Sequence, residues 1–276
     1  MGEFLQLLLQ EPFFQTVIAA AFLASIAGGL VGCYVVTRRI TFIAGSISHS
    51  LLAGIGLFLW LNRSWGYTHL SPFAGAMTAA IGSALIISWL SESKKGRQDA
   101  AIAAIWALGM AIGILFFAKT PGFAVELSNY LVGNILWVSH SDLVVLTFFD
   151  FIVIIFLFFF HHRLLQIAFC QEQARLQGIA TGRLNTLLLV LVACATVILM
   201  QTVGIILTMS MLTLPPTIAD LCTKRFGWQL TLSVIFSLIF SLLGVYFAFI
   251  WDLPVGATIA TITGIGYLLA HLIIKK

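Results

Sequence analysis

Residues 143–160 read LVVLTFFDFIVIIFLFFF, eighteen positions with a single charge, Asp150. A run of about 20 such residues, coiled as a helix, crosses the roughly 30 Å hydrocarbon core of a bilayer. Working outward, eight further apolar runs lie near 13–36, 43–61, 72–91, 99–118, 184–201, 203–222, 230–250 and 256–273. The whole chain is 61% apolar and only 9% charged, where a soluble domain carries about 25% charged residues. In lipid every backbone polar group must be satisfied within its own segment, so runs of this length predict helices. The fold class is therefore an all-α polytopic membrane protein. The runs 184–201 and 203–222 meet at Gln201-Thr202 with almost no spacer, which fits one long broken helix or a tight hairpin. Eight to nine transmembrane helices follow.

Charge orients the chain, because basic residues are retained on the cytoplasmic side. With the N-terminus outside, Arg38, Arg39, Lys94, Lys95, Arg97, Arg163, Arg175, Arg183, Lys224, Arg225, Lys275 and Lys276 all fall in inward segments, and only Arg63 and Lys119 fall outside. Nine spans with the N-terminus outside and the C-terminus cytoplasmic satisfy this split. The net charge of +4 resides in these short clusters and forms no interleaved basic face, so lipid is the expected partner and nucleic acid is not. Cys33, Cys170, Cys194 and Cys222 have no CxxC spacing, and no disulfide framework is expected. Ahead of the first run stand Glu3 and Glu11 without a basic segment; this predicts a first span that is retained, not a cleaved signal.

The chain 1–276 reads as one transmembrane domain with two segments outside the spans. Residues 119–142 hold an apolar stretch too short to cross, which predicts a surface or re-entrant helix on the extracytoplasmic side. Residues 161–183 mix apolar positions with Glu172, Arg175 and several Gln, the pattern of a short amphipathic helix at the cytoplasmic face or of a solvated connector. No GxxxxGK[ST] occurs, so the chain binds no ATP through a phosphate loop, and no HExxH occurs. A catalytic role has little support.

Ala24, Gly28 and Gly32 recur every fourth residue in the first run, a small-residue face for helix packing. In the second run Gly45, His49, Ala53 and Gly56 share one face. His49 stands ten residues beyond Arg39, about 15 Å of helix rise, near mid-bilayer. Asp150 is the one acidic residue expected at similar depth. An intramembrane carboxylate is costly unless it is paired or faces a polar cavity. His49 with Asp150 would offer the nitrogen and oxygen donors suited to zinc or manganese; a buried hydrogen bond between two helices, or a proton relay, is the alternative. Asp220 stands four residues before Lys224, where an ordinary ion pair suffices. Pro215-Pro216 removes two backbone donors and predicts a helix break. Met209 and Met211 beside it are thioethers that pack or ligate.

Five ordered motifs carry a resemblance over nearly the whole chain: Gly32 with Arg38-Arg39 and His49-Ser50-Leu51-Leu52-Ala53-Gly54; Tyr130-Leu131-Val132-Gly133-Asn134-Ile135-Leu136; Ala174 with Gly178-Ile179; Val203-Gly204-Ile205-Ile206-Leu207 leading to Leu214-Pro215; and Asp252-Leu253-Pro254-Val255-Gly256. Together they resemble the ABC-3 family, membrane permeases of bacterial zinc and manganese ABC importers. The resemblance implies a permease homodimer in the bacterial cytoplasmic membrane, a cytoplasmic ABC ATPase dimer and an extracytoplasmic metal-binding protein. It implies no permanently bound cofactor and a transported divalent ion, zinc or manganese, with iron possible. It also implies that the helix around Glu172, Ala174 and Gly178 couples to the ATPase. Many relatives carry Asp four residues before the second-run histidine, and here that position is Gly45; Asp150 is a substitute carboxylate on this reading. A proton-coupled secondary metal transporter is the alternative function.

Overall fold

The computed structural model describes residues 12–66, 69–92, 98–120 and 138–274. Among them the chain forms ten helices: α1 Pro12–Thr37, α2 Thr41–Trp65, α3 Pro72–Glu92, α4 Gln98–Ala118, α5 His140–Phe169, α6 Gln171–Leu176, α7 Thr181–Val203, α8 Ile205–Cys222, α9 Phe226–Trp251 and α10 Val255–Ile273. All but α6 are long and apolar enough to cross a membrane, nine in all among the described residues. The apolar core of the 119–142 segment, with the Tyr130–Leu136 motif inside it, lies outside the described residues.

The helices group into two compact units, Met1–Val36, Ser128–Ile154 and Ile198–Lys276 in the first, Thr37–Leu127 and Ile155–Val197 in the second. In the first unit α1 lies against α8 and α9 through its glycines. A Cβ at Gly28 would meet Met211 Cβ at 3.2 Å, and one at Gly32 would sit 2.6 Å from both the Leu212 carbonyl oxygen and Pro216 Cγ. Ser233 of α9 donates to the Gly29 carbonyl at 3.1 Å. In the second unit α2 is held between α3 and α4. Gly54 crosses Gly75 of α3 backbone to backbone, and Gly109 of α4 lies so near Ser50 that a Cβ would be 2.5 Å from its Cα. Without a hydrophobic drive between helices in lipid, such close backbone approach supplies the packing attraction.

Two expectations need correction. Pro215 and Pro216 do not break the helix, because both lie inside α8, which runs on to Cys222. The donors they lack would have served the carbonyls of Met211 and Leu212, and those are the two residues against which Gly28 and Gly32 pack. Close neighbours over the freed carbonyls let the helix continue. The interruption falls instead at Gly204, whose φ of 85° and ψ of 165° define a conformation essentially open to glycine alone. This single residue separates α7 from α8. The second correction concerns α5, which continues nine residues past the apolar run, through His161-His162-Arg163 to Phe169. No Gly or Pro interrupts that stretch, and a change of solvent at the membrane boundary does not interrupt a backbone ladder.

Candidate functional site

α2 enters the bundle from a tight corner. Arg39 adopts φ 55°, a left-handed conformation rare for a residue with a Cβ. The Ile40 carbonyl then accepts both Ile43 N–H and Ala44 N–H, which starts the helix. Eight residues on, the His49 ring stacks flat on Trp106 of α4, with centroids 4.6 Å apart and planes 12° from parallel. Its Nδ1 is buried and has no hydrogen-bond partner among the described residues. Serines pin the backbone on either side: Ser46 donates to the Ile102 carbonyl of α4 at 2.9 Å, and Ser83 of α3 donates to Ser50 Oγ at 2.8 Å. His49 is thus a fixed nitrogen donor, half-buried, with its ring held on one face by an indole.

Asp150 belongs to the first unit, and its surroundings differ. Its helix is started by a reciprocal cap: Ser139 Oγ donates to Asp142 Oδ2 at 2.6 Å, and Asp142 N–H donates back to Ser139 Oγ at 3.2 Å. Gln201 donates to the other Asp142 oxygen at 3.1 Å. Two turns further along, Asp150 is only 4% exposed, and neither of its carboxylate oxygens has a hydrogen-bond partner among the described residues. Among the described residues no three His, Cys, Asp or Glu side chains gather as a ready-made metal cage.

The segment between α5 and α7 contains a short helix. α6 carries Glu172 exposed and Ala174 buried. Ala174 packs with Ile167 and Leu184, and with Phe160 and Ile179 beside them. The helix ends in a Schellman motif: Gly178 N–H bonds to the Arg175 carbonyl, and Ile179 N–H bonds to the Ala174 carbonyl. Gly178 takes the left-handed position at φ 79°, and a Cβ there would meet open space. The Arg175 Nε donates to Thr181 Oγ1 at 2.9 Å, fastening α6 to the first residue of α7. A cavity of about 390 Å³ opens beside it, lined by Leu165, Gln166, Phe169, Cys170, Gln173, Ala174 and Gln177.

Two partners of these elements were not legible in the sequence. Trp106 stands among alanines in α4 with no periodic signal to pair it with His49. Arg38 reads as a topology charge, yet its Nη2 donates to Asn185 Oδ1 of α7 at 2.8 Å. Burial pushes the pKa of this guanidinium down from its usual value.

The sequence matches the ABC 3 transport family over residues 10–274. A protein of Chlamydia pneumoniae described as a probable metal transport system membrane protein is 43% identical over 263 residues, covering 93% of this chain and 87% of its own. A manganese transport system membrane protein, MntC, of Halalkalibacterium halodurans is 31% identical over 273 residues, covering 99% and 91%. Among solved structures, PsaBC from Streptococcus pneumoniae in complex with Fab superposes with a TM-score of 0.84 at 26% identity, over 98% of this chain and 95% of that one.

Proposed function

The chain belongs to the ABC 3 transport family, and from that premise we propose that it is the membrane-spanning permease subunit of an ATP-driven importer of divalent transition metal ions. The observation that carries this is the extent of the match: residues 10–274 take in every helix from α1 to α10. Likeness to the Halalkalibacterium manganese transport protein favours manganese as cargo, with zinc and iron as competitors for the same donors. The permease works as a homodimer in the bacterial cytoplasmic membrane, N-terminus outside and C-terminus inside. An extracytoplasmic metal-binding protein delivers the ion, and a cytoplasmic ABC ATPase dimer supplies the work, since the chain has no phosphate loop of its own.

Transport then proceeds by alternating access. The incoming ion meets Nδ1 of His49, which has no hydrogen-bond partner among the described residues and whose ring stacks on Trp106. Asp150 supplies a carboxyl that has no hydrogen bond to give up among the described residues. A divalent cation passing Asp150 offsets the cost of burying it as an anion, for which it has no hydrogen-bond partner among the described residues. Nucleotide-driven closure of the ATPase is received at α6, where Glu172 is presented outward and Ala174 and Gly178 hold the turn rigid.

Co-purification with an ATPase encoded by a neighbouring reading frame tests the class. The complex should hydrolyse ATP faster when the metal-loaded binding protein is added. Gly178→Leu forces a Cβ into a left-handed conformation, at about 1–2 kcal/mol, and should abolish that stimulation while leaving the bundle inserted. Metal uptake that persists in cells deleted for the ATPase, and collapses with the proton gradient, would replace this reading with the secondary-transporter one.

A further inference from the structure

The proposed function needs a path by which movement of α6 reaches His49, and the second unit contains one that is continuous. α6 is fastened to α7 at its first residue by Arg175 and Thr181, 2.9 Å apart. One turn into α7, Asn185 accepts the Arg38 guanidinium at 2.8 Å. Arg38 sits in the three-residue link that ends α1 and starts α2. The next residue, Arg39, is in the left-handed region, so the corner is held in a conformation an ordinary residue leaves readily if released. From that corner α2 runs as a rod to His49, about 12 Å away for eight residues of rise. Ser88 of α3 makes a parallel tie to Thr186 at 2.6 Å.

We propose that the hydrogen bond from Arg38 to Asn185 is the strut that transmits movement of the coupling helix to the helix carrying His49, making Arg38 and Asn185 positioning residues for metal transport. The proposal rests on the ATP-driven reading above. Three features single this pair out. It joins residues 147 positions apart in sequence, so it reports tertiary position and not local structure. It is partly buried, where a directed bond is screened less by water. It also uses a planar guanidinium with a fixed donor direction, which a lysine ammonium does not reproduce. A load on α7 is then felt at the short corner that starts α2, with only the Arg38–Ile40 link between the bond and the helix. Contiguity alone does not establish coupling, so the test is one of energetics and ratio.

The experiment uses the full permease with its ATPase in liposomes, measuring manganese uptake and ATP hydrolysis together. Arg38→Lys and Asn185→Leu should each raise the ATP consumed per ion at least fivefold, with basal hydrolysis unchanged. The double variant should be no worse than either single one, because the two act as one unit. Asn185→Asp keeps an acceptor; it should stay within twofold of the starting protein alone and should restore coupling in the Arg38→Lys background through a lysine–carboxylate pair. Thermal unfolding is followed in every variant, and the rescue arm decides the matter even if Asn185→Leu fails to fold. Normal ratios in the single variants, additive losses in the double, or failure of Asn185→Asp to rescue Arg38→Lys would each overturn the strut. If the unaltered complex shows no ATP-driven uptake, the transporter reading itself falls, and this outcome is distinct from all of those.

Discussion

His49 and Asp150 are both polar groups inside apolar helices, and the protein treats them in opposite ways. The histidine is braced: an indole covers one ring face at 4.6 Å, and Ser46 and the Ser50–Ser83 pair tie its helix to both neighbours. The aspartate is 4% exposed and has no hydrogen-bond partner for either oxygen among the described residues. A braced neutral donor costs little and is preorganised. A carboxyl without a partner costs several kcal/mol to bury as an anion, and taking up a proton or a cation relieves that cost. The difference teaches that the two residues have separable signatures: loss of the histidine should remove function with little gain in stability, whereas neutralising the aspartate should remove function and stabilise the protein.

The largest effect should come from the two donors themselves. Asp150→Asn and His49→Ala are each expected to lower metal uptake about tenfold or more, since even outer-shell metal partners are worth about that much. Asp150→Asn should also raise the thermal midpoint, by an amount corresponding to about 1 kcal/mol or more; His49→Ala should not. The double variant should lose little beyond either single one if both serve one ion path. An Asp150→Asn protein that unfolds more easily would show that the carboxylate is a tether, and the contrast with His49 would collapse.

A smaller effect sharpens the histidine side of the comparison. Trp106→Ala removes a stacking partner worth about 1 kcal/mol, or roughly fivefold in an affinity. Half-saturation for manganese uptake should rise by that factor, and Trp106→Phe should recover most of it. An unchanged half-saturation in Trp106→Ala would mean that the ring needs no brace. The smallest effect is expected from Ser46→Ala, which breaks one bond to the Ile102 carbonyl. That bond contributes about 1 kcal/mol of stability, and uptake per folded molecule should move by less than twofold.

The nine long helices were legible because lipid demands long apolar runs, and the runs at 72–91 and 256–273 match α3 and α10 to within a residue. Where lipid ends, composition loses its hold on helix length, so α5 was read short by the nine residues from His161 to Phe169. Breaks were misplaced for a related reason. The effect of Pro215-Pro216 depends on what covers the carbonyls of Met211 and Leu212, and that cover comes from Gly28 and Gly32 of a helix nearly 200 positions away in sequence. Gly204 carries no mark of a break in the sequence, because a glycine in an apolar run signals packing as readily as a turn. His49 and Asp150 stood out as rare polar residues at depth. Trp106 and the Arg38–Asn185 bond did not, since each is defined by a partner on another helix and leaves no periodic trace.

The most direct test of the account is manganese accumulation in sealed liposomes holding the permease with its ATPase, the metal-loaded binding protein on the side where the N-terminus lies and ATP on the other. Uptake should require ATP, should be indifferent to collapse of a proton gradient, and should fall about tenfold or more in Asp150→Asn. Accumulation driven by a proton gradient without ATP, or undiminished in Asp150→Asn, would contradict the account.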